Sequence, residues 1–299
     1  MKIVISIFAL PYEIDELEST LLRLKKCAEY TSNKIEWVLD LTLCISDEMT
    51  NWKKSTLPKS FFSDKLLRIT SQTNWCTKHI KASNDVLGCI SHRRNGIKKF
   101  TDADYFIWLD TDIIFDETTL AYIEQTVLSL NEDYSYSIIT PEIVRVWDDT
   151  WDCLVNENFL EKPLDYQKTN DPYEDCGVKG DISVETVFVD IKGQPEFKFA
   201  GGWFTCLSGD LLRLIGLPDS FAPYGPDDTF IMHASHILSR KINIQQFKIK
   251  NLVICENYKF RNFFEYQEHL SMIDRRTEFR NKCSESFKSE LQKISQIEI

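Results

Sequence analysis

The chain alternates between short runs of almost wholly apolar residues and longer runs in which apolar residues recur every three or four positions. Residues 2–10 (KIVISIFAL) and 35–45 (IEWVLDLTLCI) belong to the first kind, which is typical of strands buried on both faces of a sheet. Residues 14–30, between them, have helical spacing. This order predicts a βαβ unit, and therefore an α/β fold with a parallel sheet covered by helices.

The alternation continues towards the C-terminus. Further strands are predicted at 66–71, 105–115, 136–147, 184–191, 197–205 and 242–255, and further helices at 84–100, 118–130, 207–216 and 229–240. Residues 148–198 lack a regular pattern, and a long irregular segment inside a domain usually has a function. We interpret this segment as an insertion that meets a second substrate. Residues 259–299 are charged and helical in pattern, which predicts a C-terminal helical extension.

The apolar run 105–115 (YFIWLDTDIIF) contains two aspartates, Asp110 and Asp112. An unpaired carboxylate removed from water costs free energy or changes its pKa, and a bound cation would offset that cost. Mg²⁺ and Mn²⁺ prefer oxygen ligands, and substrate phosphates often complete their coordination. We therefore predict a divalent metal and a phosphate-bearing ligand at this strand end. The alternative is that Asp112 only caps the helix that begins near Glu117.

A second acidic pair, Asp227 and Asp228, follows a proline-rich loop and precedes a predicted helix. These residues either stabilise the helix dipole as first-turn acids or present a general base at a rigid helix start. Residues 91–97 (SHRRNGI) hold two adjacent arginines, which either form a solvated helix face or bind phosphate oxygens. The pair Gly202-Trp203 is either a turn with a core indole or a flat face for a sugar ring.

Composition narrows the range of functions. A net charge of -11 argues against a nucleic-acid partner, because such binding needs a basic face. Nine scattered cysteines without a CxxC motif indicate reduced thiols in a cytoplasmic protein. The first turn, 9–13 (ALPYE), has no glycine, so the dinucleotide and P-loop motifs are absent. No apolar run reaches the roughly 18 residues that span a membrane, although peripheral membrane contact stays open.

Four segments, in order, resemble a GT-A-fold glycosyltransferase of the family 2-like, DxD-containing, inverting group. They are residues 3–13; Arg94-Asn95-Gly96-Ile97 with 103–112 (ADYFIWLDTD); 201–204 (GGWF); and 225–230 (GPDDTF). The resemblance covers residues 1–258 and implies a mixed, mostly parallel sheet flanked by helices. It assigns 1–115 to a nucleotide-sugar-binding half and 116–258, with the insertion 148–198, to an acceptor-side half.

The resemblance also implies roles for individual residues. Asp112 would ligate Mn²⁺ or Mg²⁺, Asp110 would hold the ribose or assist the metal, and Asp228 would be the general base, with Asp227 the second choice. The donor would be a nucleotide-diphosphate sugar, with UDP- or GDP-sugars favoured, and the acceptor a glycan or glycoconjugate. The donor contacts would come from Pro11, Tyr12, Glu13, Asp47, Arg94, Gly202 and Trp203. The last strand lacks the usual histidine ligand, which Glu256 or His269 would replace.

Two rival readings of the same motifs remain. A DxD phosphohydrolase of haloacid-dehalogenase type shares the acidic run, but its DxD strand usually opens the domain, whereas here a complete βαβ unit precedes it. A non-catalytic sugar-nucleotide-binding module would keep the fold without the chemistry. The intact carboxylates Asp110, Asp112 and Asp228 argue against that reading.

Overall fold

The structure is a computed structural model that describes twelve parts of the chain. These parts are residues 1–47, 57–71, 73–85, 88–130, 135–146, 166–168, 171–187, 189–191, 194–196, 204–221, 226–257 and 286–299. The strands are β1 Lys2–Ala9, β2 Glu36–Cys44, β3 Thr77–Ser83, β4 Tyr105–Leu109, β5 Ile113–Ile114, β6 Tyr136–Val146, β7 Tyr166–Lys168, β8 Gly177–Thr186, β9 Val189–Ile191, β10 Gln194–Glu196, β11 Phe204–Ser208 and β12 Ile244–Glu256. The helices are α1 Ile14–Ala28, α2 Lys59–Thr70, α3 Cys89–Lys99, α4 Thr119–Ser129, α5 Pro172–Asp175, α6 Gly209–Ile215 and α7 Asp227–Leu238, with residues 286–295 as α8.

A ten-stranded sheet organises the fold, with eight strands in the order β3-β2-β1-β4-β11-β6-β12-β5. The first four run parallel, β11 is antiparallel to both of its neighbours, and β12 is parallel to β6. β7 extends the sheet beside β6, and β8 pairs with β12. The predicted α/β class, with a mixed, mostly parallel sheet flanked by helices, is confirmed.

The core lies where the helices pack on this sheet. All five residues of β4 are buried, as expected for a central strand. The apolar face of α1 repeats every three or four residues and buries Leu17, Leu21 and Leu24. α1 contacts α2 and α4, whereas α3 contacts β1 and α6. These contacts hold the carboxyl end of β4 between two groups of helices.

The predicted strand at 66–71 is wrong, because these residues form the second half of α2. Phe62, Leu66 and Ile69 are spaced three or four residues apart and bury one side of that helix. The third strand is instead β3, whose sequence TKHIKAS is mostly polar. Its place at the edge of the sheet explains this composition, since an edge strand is only partly covered.

Two other predicted elements also differ from the structure. The run 105–115 is two strands rather than one, because β4 ends at Leu109 and β5 pairs with β12. The insertion 148–198 is not irregular throughout, since β8 within it joins the main sheet. The strand predicted at 184–191 is the end of β8 and the separate strand β9. The first half of β8 was not predicted, and most residues of β8 are exposed. Residues 148–165 of this segment lie outside the described residues.

Among the described residues, no disulfide is formed by Cys27, Cys44, Cys76, Cys89, Cys176 or Cys206. Within the described part of the chain, no helix is long and apolar enough to cross a bilayer.

Candidate active site

The turn that follows β4 carries the first two candidate carboxylates, Asp110 and Asp112. Contacts from two elements fix its backbone. Thr20 of α1 donates its hydroxyl to the Thr111 carbonyl at 2.8 Å. On the other side, the backbone N–H of Asn257, just after β12, donates to the Asp112 carbonyl at 2.7 Å. The two side chains therefore leave the sheet from a rigid base.

Arg93 connects this turn to the second acidic pair. Its Nη1 lies 2.7 Å from Oδ2 of Asp227, and its Nη2 lies 3.1 Å from Oδ1 of Asp110. The guanidinium also stacks over the Trp108 ring, 4.6 Å from the ring centroid. Arg93 is buried, so these charge-assisted bonds operate with little competition from water. They bring together two acidic motifs that are more than a hundred residues apart in sequence.

The residue that bridges the two acidic pairs is Arg93 rather than its neighbour Arg94. Arg94, predicted to lie near the diphosphate, instead donates to the backbone carbonyls of Leu217, Pro218 and Phe221 at 2.7 to 3.0 Å. The Arg94 guanidinium therefore binds the segment that precedes α7 and not Asp110. No local signal separated Arg93 from Arg94, since both lie in the same polar run of α3.

We call Asp110, Asp112, Asp227 and Asp228 the carboxylate site. The pKa of Asp110 is raised to about 7, first because protein atoms replace water around the carboxyl and then because the three other carboxylates oppose its ionisation. Arg93 limits this rise. The Asp110 side chain keeps 43% of its surface accessible, so solvent moderates the effect of burial on its pKa. The neighbouring carboxylates also raise this pKa, as burial does.

The two acids at the start of α7 have different environments. The Asp227 side chain is 8% exposed and faces Arg93. Asp228 is more accessible, and its Oδ1 accepts a hydrogen bond from the Thr229 backbone N–H at 2.6 Å. This bond fixes the carboxylate at the first turn of the helix. Of the two predicted candidates for a general base, Asp228 is thus the one that a substrate hydroxyl can reach more readily.

The oxygen donors of the carboxylate site suit Mg²⁺ or Mn²⁺, and such ions are often bound by one or two carboxylates together with substrate phosphates. Within the described ranges, no group of three or more His, Cys, Asp or Glu side chains is arranged to hold a metal ion. The crowding of negative charge at Asp110 would be relieved by a bound cation. Glu256 pairs in register with Ile113, next to Asp112, so the end of β12 lies where a third ligand was expected.

The remaining predicted contacts lie around the carboxyl ends of β1 and β2. Residues Pro11–Glu13 form a 3₁₀ turn after β1, and Oε2 of Glu13 accepts from the Leu10 backbone N–H at 2.6 Å. Pro11 is buried and Tyr12 is partly exposed. Asp47 forms an ion pair with Lys59 at 3.0 Å on the surface. Gly202, Trp203 and His269 lie outside the described residues.

Comparisons with known proteins give similarities of fold only. No family model matches the chain, and no curated protein matches it significantly. A mannosyltransferase from Pyrobaculum calidifontis, PcManGT, in complex with GDP-Man and Mn²⁺ is 13% identical, with a TM-score of 0.46 over 85% of this chain and 56% of that one. S. aureus TarS 1-349 in complex with UDP is 12% identical, with a TM-score of 0.45 over 86% and 58%.

GalNAc-T7 with UDP, GalNAc and Mn²⁺ is 14% identical, with a TM-score of 0.47 over 86% of this chain and 43% of that one. The chain therefore spans about half the length of these solved chains. At such identities and TM-scores, the likeness concerns the fold and carries no functional information. The strand order gives the fold class, and the carboxylate site gives the chemistry.

Proposed function

We propose that the chain is a metal-dependent glycosyltransferase that moves a sugar from a nucleotide-diphosphate sugar to a hydroxyl acceptor. The observation that carries the proposal is the Arg93 bridge, which joins the end of β4 to the start of α7. Through this bridge, the pair Asp110 and Asp112, which suits a metal ion, lies near the pair Asp227 and Asp228, which suits a general base. We infer a UDP- or GDP-sugar as donor and a glycan or glycoconjugate as acceptor.

Asp112, assisted by Asp110, would hold Mn²⁺ or Mg²⁺. When bound, the ion supplies Lewis-acid stabilisation of the negative charge that develops on the diphosphate leaving group. The chain has a net charge of -11, so a cation is the simplest way to bring a diphosphate to these acids. Arg93 keeps Asp110 oriented through its bond to Oδ1. The turn Pro11–Glu13, at the carboxyl end of β1, would line the nucleobase.

Asp228 would act as the general base. It would take the proton of the acceptor hydroxyl while that oxygen attacks the anomeric carbon and the bond to the diphosphate breaks. A single displacement of this kind inverts the configuration at the anomeric carbon. A positioned carboxylate typically contributes about 10²–10⁴-fold to the rate. Asp227, held by Arg93, would orient the start of α7 instead.

A thermal-shift panel tests the donor half of the proposal. The protein would be heated with UDP-, GDP-, dTDP- and CMP-sugars, each with and without Mn²⁺. One nucleotide class should raise the melting temperature in the presence of Mn²⁺, because a ligand at a hundredfold excess over Kd stabilises the folded state by about 2.7 kcal/mol. No shift with any donor, or the same shift without metal, would contradict the proposal.

The choice of base is tested by comparing Asp228→Asn with Asp227→Asn. We expect Asp228→Asn to lower kcat by about 10²–10⁴-fold while leaving donor binding and stability nearly unchanged. Asp227→Asn should mainly lower stability, since it removes the partner of a buried arginine. The measurements are transfer rates, donor Kd and urea unfolding. Equal losses of kcat in both variants would refute the assignment of the base.

A further inference from the structure

Apart from the carboxylate site, a recess lies beside α3, where this helix meets β2 and β3. Its volume is about 240 Å³, which is far more than the roughly 30 Å³ taken by one water molecule. We call it the α3 recess. The side chains that matter for its chemistry are Asp40, Thr42, His79, Lys81, His92 and Lys99.

Strand register and helix spacing together create the α3 recess. In the parallel pair β2 and β3, Asp40 lies opposite His79, and Thr42 lies opposite Lys81, so all four share one face of the sheet. On α3, His92 and Lys99 are seven residues apart and therefore lie on one side of the helix. Their neighbour Arg93 binds Asp110 and Asp227 instead. The α3 recess and the carboxylate site thus contact different sides of α3.

His92 is the observation that indicates a ligand. The residue is 5% exposed and lines the recess, yet its Nε2 has no hydrogen-bond partner among the described residues. Oδ2 of Asp40 lies 3.7 Å from this nitrogen, beyond hydrogen-bond distance. Burial lowers the pKa of His92 to about 4, so the ring is neutral near pH 7 and offers hydrogen bonding rather than charge. Buried polar atoms are nearly always paired, so one without a protein partner points to a bound molecule.

The charges around the recess favour an anionic group at its rim. Lys81 is exposed on β3, and Lys99 places Nζ 3.0 Å from Oδ1 of Asp40. Gly96 leaves the inner wall open, because a Cβ there would lie 3.3 Å from Oδ2 of Asp40. The inner wall therefore offers a carboxylate and an imidazole that can bind hydroxyl groups, while two ammonium groups stand nearer to solvent.

We propose that the α3 recess binds a small polyol phosphate. Lys81 and Lys99 bind the phosphate oxygens, and Asp40 accepts hydrogen bonds from the hydroxyl groups. His92 Nε2 completes the contacts with the polyol. This site uses none of the residues of the carboxylate site, so it stands independently of the glycosyltransferase proposal.

Calorimetric titration with glycerol 3-phosphate tests the site. Lys81→Met, Lys99→Met and His92→Gln should each weaken binding by about tenfold or more, as expected for the loss of a hydrogen bond with a charged or buried partner. Matched controls are Lys78→Met on β3 and Lys98→Met on α3, whose ammonium groups bind Thr70 and Asp219 instead. The controls should bind like the unaltered protein. Circular dichroism confirms that each variant is folded.

Two further ligands and one further variant distinguish binding in the α3 recess from binding elsewhere on the protein. Inorganic phosphate and glycerol should each bind more weakly than glycerol 3-phosphate, because each makes only part of the contacts. Asp112→Asn should bind glycerol 3-phosphate normally, since it alters only the carboxylate site. The proposal is overturned if glycerol 3-phosphate does not bind, if the folded recess variants bind it normally, or if Asp112→Asn abolishes binding. Equal affinity for inorganic phosphate would overturn the assigned hydroxyl contacts.

Discussion

Arg93 is the residue on which the geometry of the carboxylate site depends most. It is a buried cation between two carboxylates, with Trp108 beneath its guanidinium. A buried pair contributes little net stability when intact, but removing one partner leaves a charge without compensation. The site should therefore tolerate changes that remove charges in pairs better than changes that remove Arg93 alone.

Arg93→Met should lower the free energy of unfolding by about 3–5 kcal/mol, measured in urea. Adding Asp227→Asn to the same chain should recover part of this loss, because the buried carboxylate is then neutral. The double-mutant cycle isolates the interaction between the two residues. A loss below about 1 kcal/mol, as for an exposed ion pair, would show that the bridge does not act as a buried one.

The four residues of the carboxylate site were all named from the sequence, but the arginine that joins them was not. Asp110 and Asp112 stood out because charges are unexpected at the end of an apolar strand. Arg93 did not, since two adjacent arginines on a polar helix differ only in the direction in which they point. That direction depends on the packing of α3 against β1, and packing is not a local property of the sequence.

His92 gives the stability a pH dependence with a definite sign. Its pKa is about 4 in the folded protein, mainly because of burial, and about 6.5 in an unfolded chain. Between these values the unfolded state binds more protons, so stability falls as pH falls from about 6.5 to 4, by at most about 1.4 kcal/mol per pH unit.

His92→Gln lacks this contribution, although other groups titrate in both proteins. Urea unfolding at several pH values should therefore give a shallower decline for the variant between pH 6 and 5. The difference in slope should approach about 1 kcal/mol per pH unit. Parallel curves would mean that His92 is not buried in its neutral form.

At the scale of elements, the pattern of apolar residues predicted the elements that are buried at the centre of the sheet or cover it. It did not predict strands whose residues are mostly exposed. β1, α1 and β2 lie at the centre of the sheet or cover it, and their predicted positions are correct to within two residues. β3 and the first half of β8, which the sequence did not predict, lie in strands that expose most of their residues and so lack a strong apolar signal. Their position depends on hydrogen bonds to β2 and β12, which local sequence does not reveal.

The junction of β11 and α6 depends on Gly209. Its backbone N–H donates to the Asp104 carbonyl at 2.7 Å, and a Cβ at this position would collide with the Ala103 carbonyl oxygen. Gly209→Ala must therefore push the start of α6 away from the start of β4. We expect a loss of about 1–3 kcal/mol in unfolding free energy, as for other forms of overpacking.

Gly216 provides the contrast for this prediction. Its φ is +67°, and nothing lies within 4 Å of a Cβ there. Its ψ is 169°, so the backbone lies in a region that is essentially restricted to glycine and that asparagine does not favour. Gly216→Ala and Gly216→Asn should therefore cost similar amounts, about 1–3 kcal/mol of backbone strain. Amide chemical shifts at the start of β4 should change in Gly209→Ala and stay unchanged in Gly216→Ala. Unchanged shifts in both variants would contradict a steric cause at Gly209.

At the scale of the whole molecule, the C-terminal helix α8 packs on residues that flank the proposed base in sequence. Phe287 of α8 stacks on Phe221 with ring centroids 6.2 Å apart, and it meets Phe230 of α7 edge to face at 5.8 Å. Glu290 accepts a hydrogen bond from the Ser220 hydroxyl at 3.1 Å. The described part of the extension therefore packs against α7 and the chain that precedes it.

This packing predicts a catalytic effect at a distance from the carboxylate site. Phe287→Ala removes an aromatic contact from both Phe221 and Phe230, so we expect about 1–3 kcal/mol of destabilisation and a lower kcat with an unchanged donor Kd. The physical reason is that Asp227 and Asp228 begin the helix that Phe287 contacts through Phe230.

Ile297→Ala is the matched control, because Ile297 also packs on the core but follows α8 in the chain. It should lower stability to a similar or smaller extent and leave kcat unchanged. Transfer rates at saturating donor, measured well below the melting temperature of each variant, separate loss of folded protein from loss of turnover. If kcat falls equally in both variants, the extension stabilises the fold in general and does not position Asp228. If it falls only in Phe287→Ala, the orientation of α7 sets the rate.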